Sequence, residues 1–430
     1  MMASEAADTD DSNAFCEKII NEIDAVFLKD PELTGFEIIP MPSNTNKSPV
    51  IHAEHNLGLQ SWCVKYIYEY AHRLILRYKT ECGRPAGANG SANSSSSNSN
   101  SNTTSNNNNN TTPGGSSSLL AVLGTGNNSI VKYLNCAILI NPDVATFWNL
   151  RRQLFARNRL DITKEFQFAT VVLSKKPKSN EAFAYRRWLY LFQSYDAIDW
   201  SFEIGLCEKC ADKSTTNYHA WCHRQWAIMK APHLLKFEIF KTEKFIRKHI
   251  HDYSCYNHRQ FVLAKMSEVG YYDEDDGRNF EELFRYVGQL LNDATIDSVD
   301  DLLSWLAPSI LREGMNEIRL HSFLFCLNMA AYDLRFCEEL RALYGESHAF
   351  ENHRRFMVKF IVDQCRGAAC SLTDAGNGGN GVTGQQPMSK ITKLDDQDSV
   401  FLRAIKNSEM NRTAPQHKKW CKLFLGFDIE

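Results

Sequence analysis

The sequence predicts an all-α protein built as a right-handed superhelix of helical hairpins, an α-α solenoid. Two observations carry that prediction. An aromatic residue stands three places before an arginine at Trp148/Arg151, Phe183/Arg186, Trp221/Arg224 and Tyr256/Arg259, and successive arginines lie 35, 38 and 35 residues apart. A fixed period in that range marks stacked helical hairpins. Each arginine is also followed by apolar side chains: Leu154 and Phe155, Leu189 and Tyr190, Ala227 and Ile228, Val262 and Leu263. With the aromatic one turn earlier they form a helical stripe. One hairpin cannot bury such a stripe alone, so neighbours must stack.

Taken in order, residues 1–82 read as an N-terminal helical segment with an acidic flexible start. Its helix, at 61–79, is rich in Trp62, Tyr66, Tyr68, Tyr70 and Tyr78. Residues 83–128 are a Ser/Asn/Gly-rich insertion with an asparagine run at 106–110; it has almost nothing to bury and is expected to be disordered. The hairpin domain occupies 129–366. In each unit a helix A, such as 130–140 or 198–210, leads through a short joint into a helix B that carries the aromatic and the arginine. The joints hold breakers or capping residues: Asn141-Pro142-Asp143, Pro177 with Ser179, residues 214–217 and residues 252–254. The rings are expected to fill the inter-repeat core, and the guanidiniums to bridge carbonyls or carboxylates of the adjacent hairpin.

A fifth copy ends at His353-Arg354-Arg355, followed by Met357 and Val358, with Glu351 in the aromatic position and Phe350 one place early. The interval from Arg259 to Arg354 is too long for two ordinary repeats. It holds helical patterns at 283–291, 299–306 and 318–327, which read as an insertion or a decayed copy. Residues 367–390 are a second, shorter linker, and 391–430 a C-terminal helical segment in which His417-Lys418-Lys419-Trp420 resembles a vestigial helix B.

Composition narrows the function classes. With 43% hydrophobic and 11% aromatic residues the chain is globular, and its net charge of −3 gives no electrostatic ground for nucleic acid or a membrane surface. Short basic runs such as Lys175-Lys176 with Lys178 read as solvated. No signal peptide is recognisable at 1–13, and no apolar run approaches the roughly 20 residues a transmembrane helix needs. Thirteen scattered cysteines, odd in number, indicate reduced thiols and a cytoplasmic protein. The terminal Phe427-Asp428-Ile429-Glu430 offers no cysteine for a lipid. There is no phosphate-binding glycine loop and no His-Glu-x-x-His. Cys207-x-x-Cys210 with Cys222-His223 downstream has helical spacing that places thiols on a core face, so no metal site is expected.

Four segments carry a family resemblance: Asn217-Tyr218-His219-Ala220-Trp221 with His223-Arg224-Gln225-Trp226, Trp148 to Arg152, Asn257-His258-Arg259-Gln260, and Asn352-His353-Arg354-Arg355. They resemble the repeats of protein prenyltransferase alpha subunits, and more closely the divergent branch called prenyltransferase alpha subunit repeat-containing protein. The resemblance is clear over 130–265 and weak over 347–360. It implies a crescent of hairpins around a separate beta subunit, the Rab geranylgeranyltransferase type being favoured. That partner would hold the zinc, which makes the acceptor cysteine a thiolate, and most of the isoprenoid pocket; this chain would hold no cofactor of its own.

The alpha subunit's implied contribution comes from the loops leading into helix B of the second and third repeats, where helix N-termini suit an anion such as an isoprenoid diphosphate. Lys178, five places before Phe183, matches the family lysine that stabilises charge on the leaving diphosphate; the alternative is a solvated loop lysine. Asn217, Tyr218 and His219 match the substrate-facing loop, and core packing needs only Trp221. The chain departs from the family at Asn180 and Glu181, where many members have Tyr and Gln, and at Phe183, where they have Trp. In enzymes that modify a C-terminal Cys-aliphatic-aliphatic-X tetrapeptide, the glutamine matched by Glu181 receives the substrate carboxylate.

Two functions fit this pattern. One is the alpha subunit of a heterodimeric protein geranylgeranyltransferase acting on a small GTPase of the Rab kind or another folded protein, inactive alone. The other is a non-catalytic helical-repeat scaffold regulating Rab prenylation and vesicle trafficking.

Overall fold

The computed structural model describes residues 2–43, 48–82, 129–271, 280–292, 296–306, 317–370, 400–412 and 414–426. The chain divides into two compact units, Met1–Ala220 and Trp221–Glu430. The predicted insertion at 83–128 and most of the predicted 367–390 linker lie outside the described residues; residues 367–370 end a helix.

Unit 1 opens with α1 (Met2–Lys29), a small sheet of β1 (Gly35–Ile39), β2 (Val50–Ala53) and β3 (Asn56–Gln60), and α2 (Ser61–Cys82). An entirely helical N-terminal segment is therefore corrected. Nor is its acidic start a separate tail, since α1 runs unbroken from Met2. The central strand β3 pairs parallel with β1 and antiparallel with β2. Strands β2 and β3 are joined by Glu54-His55, both left-handed at φ 46° and 60°, the geometry of a two-residue hairpin turn normally given to Asn or Gly. Here the turn is held from outside, His55 Nδ1 meeting the Asp30 carboxylate at 2.9 Å.

Three hairpins follow, begun by α3 (Ser129–Ile140) and α4 (Ala145–Ala156), continued by α5 (Ile162–Lys175) and α6 (Asn180–Leu189), then by α7 (Trp200–Lys213) and α8 (Tyr218–Lys230), which crosses the unit boundary. The N-terminal elements are seated on them. Gln167 donates to the Asp30 and Leu33 carbonyls at 3.0 and 3.3 Å, and the Phe36 amide donates to Ser174 Oγ at 2.9 Å.

The repeated arginines bridge hairpins as expected. In unit 1, Arg151 of α4 grips Glu165 of α5 through Nε at 2.8 Å and Nη2 at 2.5 Å, and Arg186 of α6 grips Glu203 of α7 at the same two distances. Arg186 also donates to the Phe166 carbonyl and Thr170 Oγ1, both at 2.9 Å. The position before the next arginine completes the knot: Tyr185 donates its hydroxyl to Glu165 at 2.6 Å, while its ring lies 5.0 Å from Trp148. A bidentate fork with further hydrogen bonds is the arrangement in which a buried ion pair is tolerated.

Unit 2 repeats the scheme with α9 (Leu235–Lys248) and α10 (Tyr253–Val269). Arg224 grips Glu238, whose carboxylate also meets His258 Nε2 at 2.7 Å, and Trp221 lies 5.3 Å from the His258 ring. Burial alone would raise Glu238; Arg224 and His258 hold it far below the usual carboxylate range.

The long interval after Arg259 is also resolved. Helices α11 (Glu281–Leu291) and α12 (Val299–Leu306) are inserted, and then α13 (Glu317–Tyr344) and α14 (His348–Cys370) form another hairpin. In it Asp333 takes the glutamate's place, bound by Arg259 and by His353 at 2.9 Å. Phe350 is fully buried, while Glu351 is half-buried. Arg354 then grips Glu409 of α15 (Val400–Met410), and His417 of α16 (Pro415–Trp420) reaches that same carboxylate at 3.0 Å. His417 thus occupies the position that Tyr185, His258 and His353 hold elsewhere, which makes 417–420 the vestigial helix B the sequence suggested.

Candidate functional site

Both loops that carry the sequence-predicted site residues lie in unit 1. In the first, between α5 and α6, the Ser179 amide donates to the Lys176 carbonyl at 3.0 Å. Ser179 then caps α6, its hydroxyl accepting from the Ala182 amide at 3.3 Å. Lys178 stands one place before the cap with its side chain exposed. Its basic neighbours are engaged rather than merely solvated, Lys175 with Glu37 at 2.5 Å and Lys176 with Asp143 at 2.9 Å. Lys178 itself makes no ion pair or side-chain hydrogen bond among the described residues. Glu181 sits in the first turn of α6, half-buried and likewise unpaired among those residues. A carboxylate there is favoured by the positive end of the helix.

In the second loop Thr216 adopts φ 53°, turning the chain so that Asn217 points inward. Asn217 is fully buried. Its Nδ2 donates to the Pro177 carbonyl at 2.6 Å and to the Cys210 carbonyl at 3.2 Å, and its Oδ1 accepts from the Ala220 amide at 3.1 Å. Both amide hydrogens are spent, so the expectation that Asn217 faces substrate is corrected: it is a clamp. Tyr218 is 69% exposed and His219 half-buried, their rings 5.7 Å apart and edge to face.

The clamp ties the two loops together, because Pro177 immediately precedes Lys178. The sequence-matched lysine and the Tyr218-His219 pair are thereby carried on two loops locked to one another. Sequence reasoning missed this tie, and also Lys213, which donates to the Ser174 carbonyl at 2.6 Å and so fastens the end of α7 to the end of α5.

Residues 162–193, 200–231 and 235–266 match the model for the protein prenyltransferase alpha subunit repeat. They coincide with the hairpins α5–α6, α7–α8 and α9–α10. These hairpins are similar to protein prenyltransferase alpha subunit repeats. Among relatives, the chain is 24% identical over 275 residues to protein prenyltransferase alpha subunit repeat-containing protein 1-B of Xenopus laevis, covering 58% of this chain and 54% of the relative. The human repeat-containing protein 1 is 24% identical over 278 residues, with 58% of each chain covered. The mouse geranylgeranyl transferase type-2 subunit alpha is 22% identical over 220 residues, 48% of this chain and 37% of the relative. The chain spans about half the length of the repeat-containing relatives it matches.

Among the described residues no three His, Cys, Asp or Glu side chains stand where they could hold a metal ion. Cys207 and Cys210 are buried, and burial pushes the Cys210 thiol up to about 12, away from the thiolate a metal needs. No described helix is long and apolar enough to cross a membrane.

Proposed function

We propose that this chain is the alpha subunit of a heterodimeric protein geranylgeranyltransferase, supporting transfer of an isoprenoid from its diphosphate to a cysteine of a folded acceptor such as a Rab-like GTPase. The observation that carries the reading is Lys178: the one lysine of its run without a partner among the described residues, exposed at the entrance to the second-repeat helix B and locked beside the loop bearing Tyr218 and His219. In this reading Lys178 meets the leaving diphosphate, a point charge placed where negative charge grows. The two loops end in helix N-termini, which favour the same anion. Zinc and the acceptor thiolate belong to the beta subunit, and the cytoplasm is the compartment of the pair. The test is transfer of a labelled geranylgeranyl group to a Rab-type GTPase by the purified chain, with and without a Rab geranylgeranyltransferase-type beta subunit. Transfer that depends on both chains supports the proposal, and transfer that proceeds equally without this chain overturns it.

Glu181 favours a second reading. It places a carboxylate with no partner among the described residues three positions from Lys178, on the face where this reading brings an anionic substrate. A non-catalytic scaffold that binds prenylation-pathway proteins through the same loops has no such conflict. Stable capture of a beta subunit or a GTPase without transfer is its signature.

A further inference from the structure

Helices α5 and α7 do not close against one another along their whole length. Between them lies a cavity of about 450 Å³, bordered by Leu173 of α5 and by Phe202, Gly205, Leu206, Lys209 and Lys213 of α7. That volume falls in the range of small-molecule sites, which are mostly apolar with a few placed polar groups.

Gly205 is the informative residue. Glycine inside a helix is destabilising, second only to proline, and is normally explained by a close neighbour. Here a Cβ at Gly205 meets no atom within 4 Å. Packing against the described residues therefore gives no reason for the glycine, and its bare backbone forms part of the cavity wall. One turn earlier Phe202 is 54% exposed, and one turn later Lys209 is exposed. Three other polar groups of the wall are spent. Thr170 Oγ1 donates to the Phe166 carbonyl, Ser174 Oγ to the Val171 carbonyl, and Lys213 to the Ser174 carbonyl, with Glu37 3.5 Å from the Lys213 amine. Lys209 alone among these charges has no partner among the described residues.

We propose that this groove binds a single-chain amphiphile, its apolar chain lying across Gly205 against Leu173, Leu206 and Phe202, and its anionic head on Lys209. Carboxylate and phosphate heads share the required chemistry, and the site is separate from the Lys178 loop.

The experiment is calorimetric titration of the full chain with decanoate, decyl phosphate and uncharged decanol. Saturable 1:1 binding is expected for at least one of the two anions, with decanol at least 10-fold weaker; the better anion identifies the head group. Gly205→Leu fills the groove, and leucine is the better helix former, so this variant should melt no lower than wild type yet lose binding. Lys209→Gln should weaken the preferred anion about 10-fold, towards decanol, and leave decanol binding unchanged. Lys178→Ala should bind as wild type. Absence of saturable binding, undiminished binding by a folded Gly205→Leu, or decanol binding as tight as the anions each overturns the proposal. Should Gly205→Leu fail to fold, unchanged anion affinity in Lys209→Gln does so alone.

Discussion

Asn217 donates to the carbonyl of Pro177 across 2.6 Å, and through that bond the second and third repeats present their helix B entrances as one surface. The same carboxamide caps α8 at the Ala220 amide. Asn217→Ala removes a cap and takes from the Pro177 carbonyl its donor, while the Cys210 carbonyl keeps the Ser214 amide at 3.2 Å, so a loss of about 2–4 kcal/mol is expected from cap and unsatisfied-group costs together. Urea unfolding measures it. A loss below half a kcal/mol would show that the loops are held by something else.

The Arg186–Glu203 pair is fully buried, with bonds of 2.8 and 2.5 Å. Removing one partner leaves the other charged and dry, so Glu203→Leu alone should cost about 3–5 kcal/mol, whereas Arg186→Met with Glu203→Leu should recover much of that. A double-mutant cycle by chemical denaturation checks this. Equal losses in the single and double variants would place the cost in lost packing instead of a stranded charge.

Acid should weaken the protein through His258 and His353 first. Burial keeps both below the ordinary histidine value of 6.5, despite the pull of Glu238 and Asp333. Below about pH 6.5 the unfolded chain therefore binds protons that the folded chain refuses, and stability falls as pH falls. Asp333 adds a later loss. Burial opposes its charge, but Arg259 and His353 hold it down at about 2, so its contribution, complete above 3.8, disappears between about 3.8 and 2. Unfolding free energies at pH 7.5, 6.0 and 5.0 should decline in the wild type, by at most ~1.4 kcal/mol per pH unit for each histidine. The decline should be shallower in His258→Gln/His353→Gln. Parallel curves for the two proteins would sink the assignment.

The arginine ladder was legible because its signature is local: Trp148 and Arg151, or Trp221 and Arg224, share one helix face. The acceptors were legible in principle, since Glu165, Glu203 and Glu238 recur at 38 and 35 residues, in step with the arginines. Asp333 was not, because its arginine lies 74 residues away, with the inserted helices α11 and α12 between them. The sheet escaped for a different reason. Its strands are four or five residues long, and its tightest turn uses Glu54-His55, which carry no turn signal and depend on Asp30 for support. At the site, resemblance pointed to the two loops, but only the hydrogen bonds separate Asn217, which faces in, from Tyr218, which faces out.

For Lys178 the expected result is kinetic. With a beta subunit present, Lys178→Ala should slow single-turnover transfer by roughly 10- to 1000-fold, about 1.4–4 kcal/mol for one preorganised donor at a developing charge. Heterodimer affinity should be unchanged, since the side chain is exposed and makes no ion pair or hydrogen bond among the described residues. An unchanged rate would return Lys178 to the solvated loop and leave the scaffold reading in possession of the site.

Glu181 addresses the acceptor. An ionised glutamate only accepts hydrogen bonds, so it cannot receive a peptide's terminal carboxylate as glutamine does. In a half-buried position it would set one negative charge against another, which is costly where water is scarce. A free Cys-aliphatic-aliphatic-X peptide should therefore be a poor substrate for the heterodimer, while a folded acceptor, whose terminus lies elsewhere, is used. Glu181→Gln should raise peptide transfer at least several-fold and leave transfer to the folded acceptor unchanged. Efficient peptide use by the wild type, with no gain from the substitution, would mean that Glu181 does not face the acceptor. The choice of a folded substrate would then lose its physical basis, even with transfer itself intact.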